Sequence, residues 1–524
     1  MRISIIDCYT DEPSGLGVMP YVGTYPRYIF GALLKLGIEP FYLTIDDIRS
    51  ANRAFDIEND IKTNIRLRNT TPNNPRVGEI LTSSDIIIVI AGVHTPGKYL
   101  SAYPGTTVEV KKLLLDFHVE TKFLILTGPS ATIGSGLYGG RKARSVEKDS
   151  DFFDLTIPEL EYCLEGLLES NFQEVREVED KYEMLREIAP HGARIAPQLP
   201  HDLGFHIIEL ETMSGCAKKI PCSFCMEGLN EGGVRSRPPE DIIDEVRALN
   251  SQGFENFRLG KQTCIYSYGN REKLERLLSG VSQYSKILHI DNANPLYVDE
   301  GKTRALVKYC SPGNVASMGV ESFDGNVILE NDLMTSPELV YEAVKTINDI
   351  GGRRGLNGMP AMLPGINLLF GLKGERKSSH EENMHWLRKI YDDGLMLRRI
   401  NIREVVLFHG TKLSESVGNK FLRKNRRYYW RWRDDIRKNI DNPMLERILP
   451  LGTVVKGLRT EIYDGNTTFA RQIGSYPLVV GIKGRIGLDR SVDASVIGHM
   501  LRSIVGEEVG PPHSMLNDSP HILL

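Results

Sequence analysis

The sequence predicts an α/β protein: a doubly wound N-terminal domain, then a partial (β/α)6 barrel, then a small C-terminal β-rich module. Three observations carry this. Over the first 135 residues or so, short apolar runs alternate with helical patterns, which is how a parallel sheet with crossover helices is written. A second such series runs from near residue 206 to about 413. Beyond it the pattern changes to a basic, aromatic stretch and then to short strand-like runs. A chain of 524 residues also exceeds what one hydrophobic core organises.

In the first series, "RISIIDCY" is followed by a Gly/Pro-rich turn and the helical "YPRYIFGALLKLG". Then come "PFYLTI", the apolar run "DIIIVIAG", the helix "VEVKKLLLDF" and "KFLILTG". Runs apolar on both faces suit the centre of a sheet covered by helices. Residues 151–195 are acidic and helix-prone, and the Pro-bearing "APHGARIAPQLPHD" reads as a linker. The second series offers six strands, "HIIELET", "NFRLG", "KILHID", "VASMGVES", "GINLLFG" and "NIREVVLF", with helical segments between them. Such a barrel gathers its functional groups at the C-terminal ends of the strands. The expected boundaries are 1–200 for the Rossmann-like domain with its acidic linker, 201–415 for the barrel, 416–450 for a basic aromatic helical segment, and 451–524 for the β module and tail.

The formal net charge of −4 excludes a nucleic-acid coat or a polyanion mimic, so any basic footprint is local. No run approaches the roughly 18 apolar residues of a membrane helix, and "MRISIIDCYT" lacks a signal peptide's apolar stretch, so a cytoplasmic protein without a membrane partner is expected. Seven cysteines, an odd number, argue for metal or redox use of those that cluster.

Three of them cluster in "GCAKKIPCSFCMEG", immediately after the first barrel strand: Cys216, Cys222 and Cys225, spaced C-x5-C-x2-C. A structural zinc wants four ligands. An iron–sulfur cube held by three thiolates leaves its fourth iron open, so that a small molecule can bind the cluster directly. An inert trio is the least suited, because Lys218 and Lys219 stand beside the thiols on a turn-rich loop. Cys8, Cys163 and Cys310 read as core, while Cys264 reads either as an inert thiol or as one standing behind the strand-end contacts.

The cysteine loop resembles that of the radical S-adenosylmethionine (SAM) superfamily, whose usual spacing is C-x3-C-x2-C with an aromatic residue between the last two cysteines, here Phe224. Two extra residues stand in the first gap of this chain. "MGVES" (318–322), "FGLKGE" (370–375, with Lys373 in place of a proline) and "HGTKL" (409–413) resemble, in order, further segments of the subgroup of Elongator-like and methylthiotransferase-like members. Nearly all of residues 1–505 is similar to a radical SAM family described with a C-terminal helix-hairpin-helix, although no such hairpin is found here. The resemblance implies a [4Fe-4S] cluster on the three cysteines, reductive cleavage of SAM to a 5'-deoxyadenosyl radical with an external one-electron donor, and attack on an unreactive C–H position. By matched position it implies Glu321 and Ser322 on the ribose or methionine part of SAM, and Gly371, Gly374 and Glu375 on the adenine side. Lys261, Gln262, Asp291, Asn292 and Asn294, at the ends of the second and third strands, are further candidates for SAM or substrate contacts. Their other reading is turn capping, which Asp and Asn favour for local reasons.

In radical SAM proteins an N-terminal doubly wound domain implies a cobalamin-binding module or a methylthiotransferase domain with a second cluster. Only Cys8 and Cys163 precede residue 216, which disfavours the second. The histidine-ligating string D-x-H-x-x-G is absent, His94 and His118 standing in other contexts, but cobalamin binding without it also occurs. The Gly-rich "TGPSATIGSG" (127–136) would let backbone approach a large ligand. Residues 420–438 carry nine Lys or Arg against two Asp, interleaved with Phe421, Tyr428, Tyr429, Trp430 and Trp432. This suits phosphate contact and base stacking, or a helix whose aromatics pack on the barrel while its arginines reach water. The expected substrate is RNA or a protein. Methyl transfer through cobalamin is the alternative enzyme reading, and a non-catalytic, zinc-stabilised RNA-binding module is the alternative of another class.

Overall fold

The computed structural model describes residues 1–10, 19–53, 67–92, 102–119, 121–133, 139–143, 151–176, 178–227 and 233–510. His94, residues 134–136 of the Gly-rich turn and the C-terminal tail lie outside the described residues. The chain divides into two compact units. The first comprises residues 1–138, 143–209 and 240–255, and the second 139–142, 210–239 and 256–524.

Unit one is built on five parallel strands: β1 (Ile3–Asp7), β2 (Phe41–Thr44), β3 (Ile86–Ile90), β4 (Phe123–Thr127) and β5 (Leu155–Thr156), in the order β2-β1-β3-β4-β5. Every residue of β1 and β3 is buried, as runs apolar on both faces demand. The order reverses between β1 and β3, the switch point at which doubly wound sheets open a crevice. Residues read as a linker are part of this unit. His191–Gln198 forms a 3-10 helix against α1 (Thr24–Lys35), because facing glycines remove the side chains that would separate them. A Cβ on Gly31 would lie 2.2 Å from the Ile188 carbonyl oxygen, and one on Gly192 2.4 Å from that of Arg27. Gln198 completes the seam by accepting from the backbone N–H of Tyr42 at 2.7 Å.

The six strands of the second series all form: β6 (Ile207–Glu211, passing from unit one into unit two), β7 (Asn256–Gly260), β8 (Ile287–Ile290), β9 (Asn314–Glu321), β10 (Met362–Phe370) and β11 (Arg399–Glu404). β6, β7 and β8 are neighbours in one sheet and β9, β10 and β11 in another. The two-residue strand Asn292–Ala293, just beyond β8, pairs with Ser317 and Met318 of β9 and carries the order onward. Helices return between strands for legible reasons. In α2 (Pro337–Gly351), Ser336 caps the first turn by accepting from Leu339 N–H, Pro337 occupies the first position, and Val340, Ala343, Val344 and Ile347 form the buried stripe.

The C-terminal module is a closed barrel of β12 (Val454–Asp464), β13 (Thr467–Gln472), β14 (Val479–Lys483), β15 (Ser491–His499) and β16 (Ser503–Glu508). Closure removes the exposed strand edges of so small a sheet. The turn between β13 and β14 packs beneath β8. Ser475 N–H donates to His289 Nδ1 at 2.8 Å, and Gly474 lies so close that a Cβ there would meet the imidazole at 2.5 Å.

Candidate radical SAM centre

The cysteine loop leaves the end of β6 and is closed at its base by antiparallel pairing of Met213–Ser214 with Arg235–Ser236. Gly215 makes that closure: its φ is +79°, and a Cβ would stand 2.0 Å from the Gly233 carbonyl oxygen. The loop is then stitched to the strand ends around it. Thr263 Oγ1 donates to Gly215 O at 2.9 Å, Tyr297 OH to Ala217 O at 2.7 Å, and Ser223 N–H to Asn331 O at 3.0 Å. Leu413 N–H donates to Ser223 O at 2.7 Å, which brings the "HGTKL" segment to the cysteines. Phe224 packs on an apolar cluster of Val327, Leu372, Val405, Leu407, Leu413 and Leu422, which anchors the middle of the loop.

All three cysteines are partly buried and unpaired by disulfides. Burial is the largest influence on Cys222 and Cys225; with Cys216 beside it the former is raised, and with Cys222 and Cys216 beside it the latter is pushed to about 12. The Lys218 ammonium opposes this at Cys222: its Nζ lies 3.1 Å from Sγ while also donating to Leu333 O at 2.8 Å. Cys222 and Cys225 so placed resist ionisation unless a strong cation takes their charge, which is the condition an iron–sulfur cluster meets. Their donor chemistry therefore fits the cube. Among the described residues no three His, Cys, Asp or Glu side chains converge as a site for one metal ion.

Other sequence-predicted residues surround this loop. Glu321 ends β9 at a bulge, with φ +65°, and its carboxylate folds back so that a Cβ on Gly319 would lie 2.9 Å from Oε1. Burial pushes it up to about 7, with Lys218 and Arg403 pulling the other way, and it raises Cys222 in turn. Lys261, also in the left-handed region at φ +44°, pairs with Glu211 at 3.1 Å across the ends of β7 and β6. Gln262 Nε2 donates to Asn292 O at 3.1 Å and Asn292 Nδ2 to Gln262 O at 3.3 Å, tying β7 to β8. Asp291 is buried against Arg258 at 3.5 Å. Asn294 caps a short turn by accepting from Leu296 N–H. Ser322 is buried, and its Oγ accepts from Asp324 N–H at 3.1 Å.

The "GLKGE" turn follows β10. Gly371 and Gly374 have φ +94° and +84°. Glu375 is buried and faces inward: one carboxylate oxygen accepts from Gly371 N–H at 2.8 Å and from Asn425 Nδ2 at 2.9 Å. Burial pushes its pKa from 4.5 to about 7, against the lowering effect of those two donors. Between these values the native state holds a proton that the unfolded chain has lost, so this group makes stability fall as pH rises through about 4.5 to 7. Glu375→Gln keeps an acceptor oxygen and removes the titration. In urea unfolding of the metal-free protein we expect it to be more stable than the parent by about 3 kcal/mol at pH 8, with no gain at pH 4.

Sequence reasoning passed over the face of β11 that carries Arg399, Asn401 and Arg403, and Tyr476 from the β module. The signal was present as polar residues at every second position of "RINIRE". The basic segment forms α3 (Lys420–Ile436). Trp432 is buried against Phe370, His380 and Tyr428, and Tyr429 meets Phe370 edge-on, so these rings pack. Trp430 is 62% exposed with Arg433 over its ring, and Tyr428 lies under Arg427 and Arg431. Trp430, Arg427 and Arg431 border an open cleft of about 740 Å³ whose other walls are both basic, with Lys377, His380 and Lys438, and acidic, with Glu381, Asp434 and Asp435.

Comparison with known proteins agrees with this geometry. Residues 210–369 match the Radical SAM superfamily model. An uncharacterized protein of Methanocaldococcus jannaschii is 41% identical over 97% of this chain and 93% of its own length. A ribosomal protein uS12 methylthiotransferase RimO of Phocaeicola vulgatus is 25% identical over 36% of this chain and 42% of its own. Among solved structures, the radical SAM methyltransferase TsrM of Kitasatospora setae, with tryptophan substrate and a SAM analog bound, aligns at a TM-score of 0.52 and 12% identity, covering 88% of this chain and 79% of that one. A cysteine loop at the mouth of a six-stranded partial barrel, on a chain so matched, has one family: this protein belongs to the radical SAM superfamily and is an iron–sulfur enzyme that cleaves SAM.

Proposed function

We propose that the enzyme modifies a C–H position of RNA. Cys216, Cys222 and Cys225 hold the [4Fe-4S] cluster, which when bound supplies the electron, drawn from an external donor, for SAM cleavage. Lys218 stabilises the thiolate of Cys222. Glu321, Lys261 and Asn292 border the SAM site at the strand ends, and the turn from Gly371 to Glu375 holds its far wall through the Glu375–Asn425 bond. The loop and the turn exclude water from the space between.

The observation that carries RNA as substrate is the exposed face of α3. An exposed indole among Arg427, Arg431 and Arg433 offers a stacking surface flanked by phosphate ligands, where a helix serving only to pack would keep Trp430 inside. Arg431→Glu should weaken RNA binding about equally across sequences and flatten its dependence on salt, read by filter binding from 50 to 200 mM salt. Unchanged affinity and slope would return the helix to a structural role and RNA to an unsupported substrate.

A second reading, methyl transfer through cobalamin held by unit one, is favoured by the fold likeness to a methyltransferase over most of the chain. Corrinoid retention and S-adenosylhomocysteine formation would support it. Corrinoid binding no better than to an unrelated α/β domain would dismiss it.

A further inference from the structure

The barrel interior has its exposure reversed relative to a filled barrel. On β10 and β11, Ile366, Leu368, Ile400 and Ile402 are buried, whereas Asn367, Leu369, Arg399, Asn401 and Arg403 between them keep partial exposure. Asn367 is in register with Asn401, and Leu369 with Arg403. Tyr476 shows which face is the interior. Its hydroxyl donates to Asp291, just beyond β8, at 2.6 Å, and the Arg399 guanidinium lies over its ring at 4.5 Å. Two strands, β9 and β10, stand between β8 and β11, so a ring that touches both sides lies across the lumen. Arg399, Asn401 and Arg403, which share a face by the two-residue period, therefore line an interior open to solvent.

In that interior Arg403 acts on the buried carboxylate of Glu321, whereas Arg399 has no carboxylate of its own among the described residues. Asp291 is occupied by Arg258 at 3.5 Å and by the Tyr476 hydroxyl. Arg399 makes no ion pair among the described residues, and its Nε is buried without a hydrogen-bond partner. Burial foremost, together with Arg403, Arg398 and Arg437 and against the opposing Tyr476, lowers it to about 10. Like charges gathered in a partly desolvated space are unfavourable until an anion enters, and a guanidinium with donors to spare is shaped to take one.

We propose that the barrel lumen binds the phosphate of the nucleotide to be modified, with Arg399 as its principal ligand, Asn401 and Arg403 beside it, and Tyr476 of the C-terminal barrel as the floor. This rests on the RNA reading above and adds to it the place of the target. A nucleotide turned out of its strand carries its own phosphate into the site, and a phosphate lets Arg399 use several donors at once. The C-terminal barrel thereby shapes the substrate end of the active site from below, while the cysteine loop shapes the SAM end from above.

The test is anaerobic calorimetry on the cluster-loaded, SAM-bound enzyme with nucleoside 5'-monophosphates, the matching nucleosides and glutarate as probes. The monophosphates should bind at least about tenfold more tightly than the nucleosides, and Arg399→Gln should erase that difference. Arg399→Lys should restore part of it, since charge survives and the fork does not. Iron content and circular dichroism of both variants should match the parent, which separates lost recognition from lost folding. A monophosphate preference that survives Arg399→Gln overturns the proposal, even where Arg431→Glu has shown that RNA binds. Arg399-dependent binding of glutarate alone would make the ligand a carboxylate and overturn it too. So would loss of SAM affinity in Arg399→Gln, because the anion would then be SAM's own carboxylate. Failure of the Arg431 experiment alone would remove RNA as the macromolecule while leaving a lumenal phosphate site standing.

Discussion

Cys222→Ala should yield a folded protein that binds no [4Fe-4S] cluster and forms no 5'-deoxyadenosine. Cys222 is the thiol most closely governed by its surroundings. The Lys218 ammonium lies 3.1 Å from its sulfur, and Glu321 and Cys216 act on it electrostatically. With alanine there, two thiolates remain for a cube that needs three, and an outer-shell loss already costs about 10–100-fold in metal affinity, so loss of a ligand should exceed this. The loop has its own supports in the Ser223–Asn331 and Leu413–Ser223 bonds and in Phe224, so it stays in place without the sulfur. Anaerobic reconstitution followed by iron and sulfide analysis, the absorption band near 400 nm, and the yield of 5'-deoxyadenosine measure the effect. Cys310→Ala is the control: that thiol is buried away from the trio and should leave iron content unchanged. If Cys222→Ala binds as much iron as the parent, the three-thiolate cluster is wrong.

Much of this was legible in the sequence because it follows from local periodicity. Five of the barrel strands are where alternating and apolar runs put them, the sixth begins two residues before "NIREVVLF" and stops at Glu404, short of "VVLF", and the doubly wound sheet follows from runs such as "DIIIVIAG". The cysteines were legible because three thiols on one turn-rich loop have few physical uses. Tertiary context decided what was not. The stretch 191–198 reads as a linker because Gly192 and Pro197, with Pro190 and Pro200 flanking it, suggest freedom, yet Gly192 is what allows it to press on α1. Glu375 read as a ligand by position, but whether a carboxylate faces a cofactor or its own turn depends on Asn425, fifty residues away. Arg399 and Tyr476 could not be joined in advance, since no pattern within either segment states that a turn of the β module enters the barrel.

Gly371→Ala should cost the protein about 3 kcal/mol of stability and lower its cluster occupancy, although residue 371 touches no cysteine. Two penalties meet there. At φ +94° a side chain is strained, by roughly 1–2 kcal/mol. The new Cβ would also stand 2.3 Å from Leu422 Cδ2 and 2.7 Å from its Cγ, and overpacking of a tight core costs about 1–3 kcal/mol. Leu422 has nowhere to go without disturbing the apolar cluster on which Phe224 rests, so the strain passes from the turn after β10 to the cysteine loop. A double-mutant cycle isolates the second penalty. Leu422→Ala alone is destabilising because it leaves a void, but in the Gly371→Ala background it removes the clash, and the pair should be more stable than the two single losses predict. Urea unfolding gives the coupling energy, and iron content after reconstitution should follow it, recovering in part in the double variant. Strict additivity would mean that Leu422 yields freely, and the cysteine loop would then owe its placement to its hydrogen bonds rather than to the packing beneath Phe224.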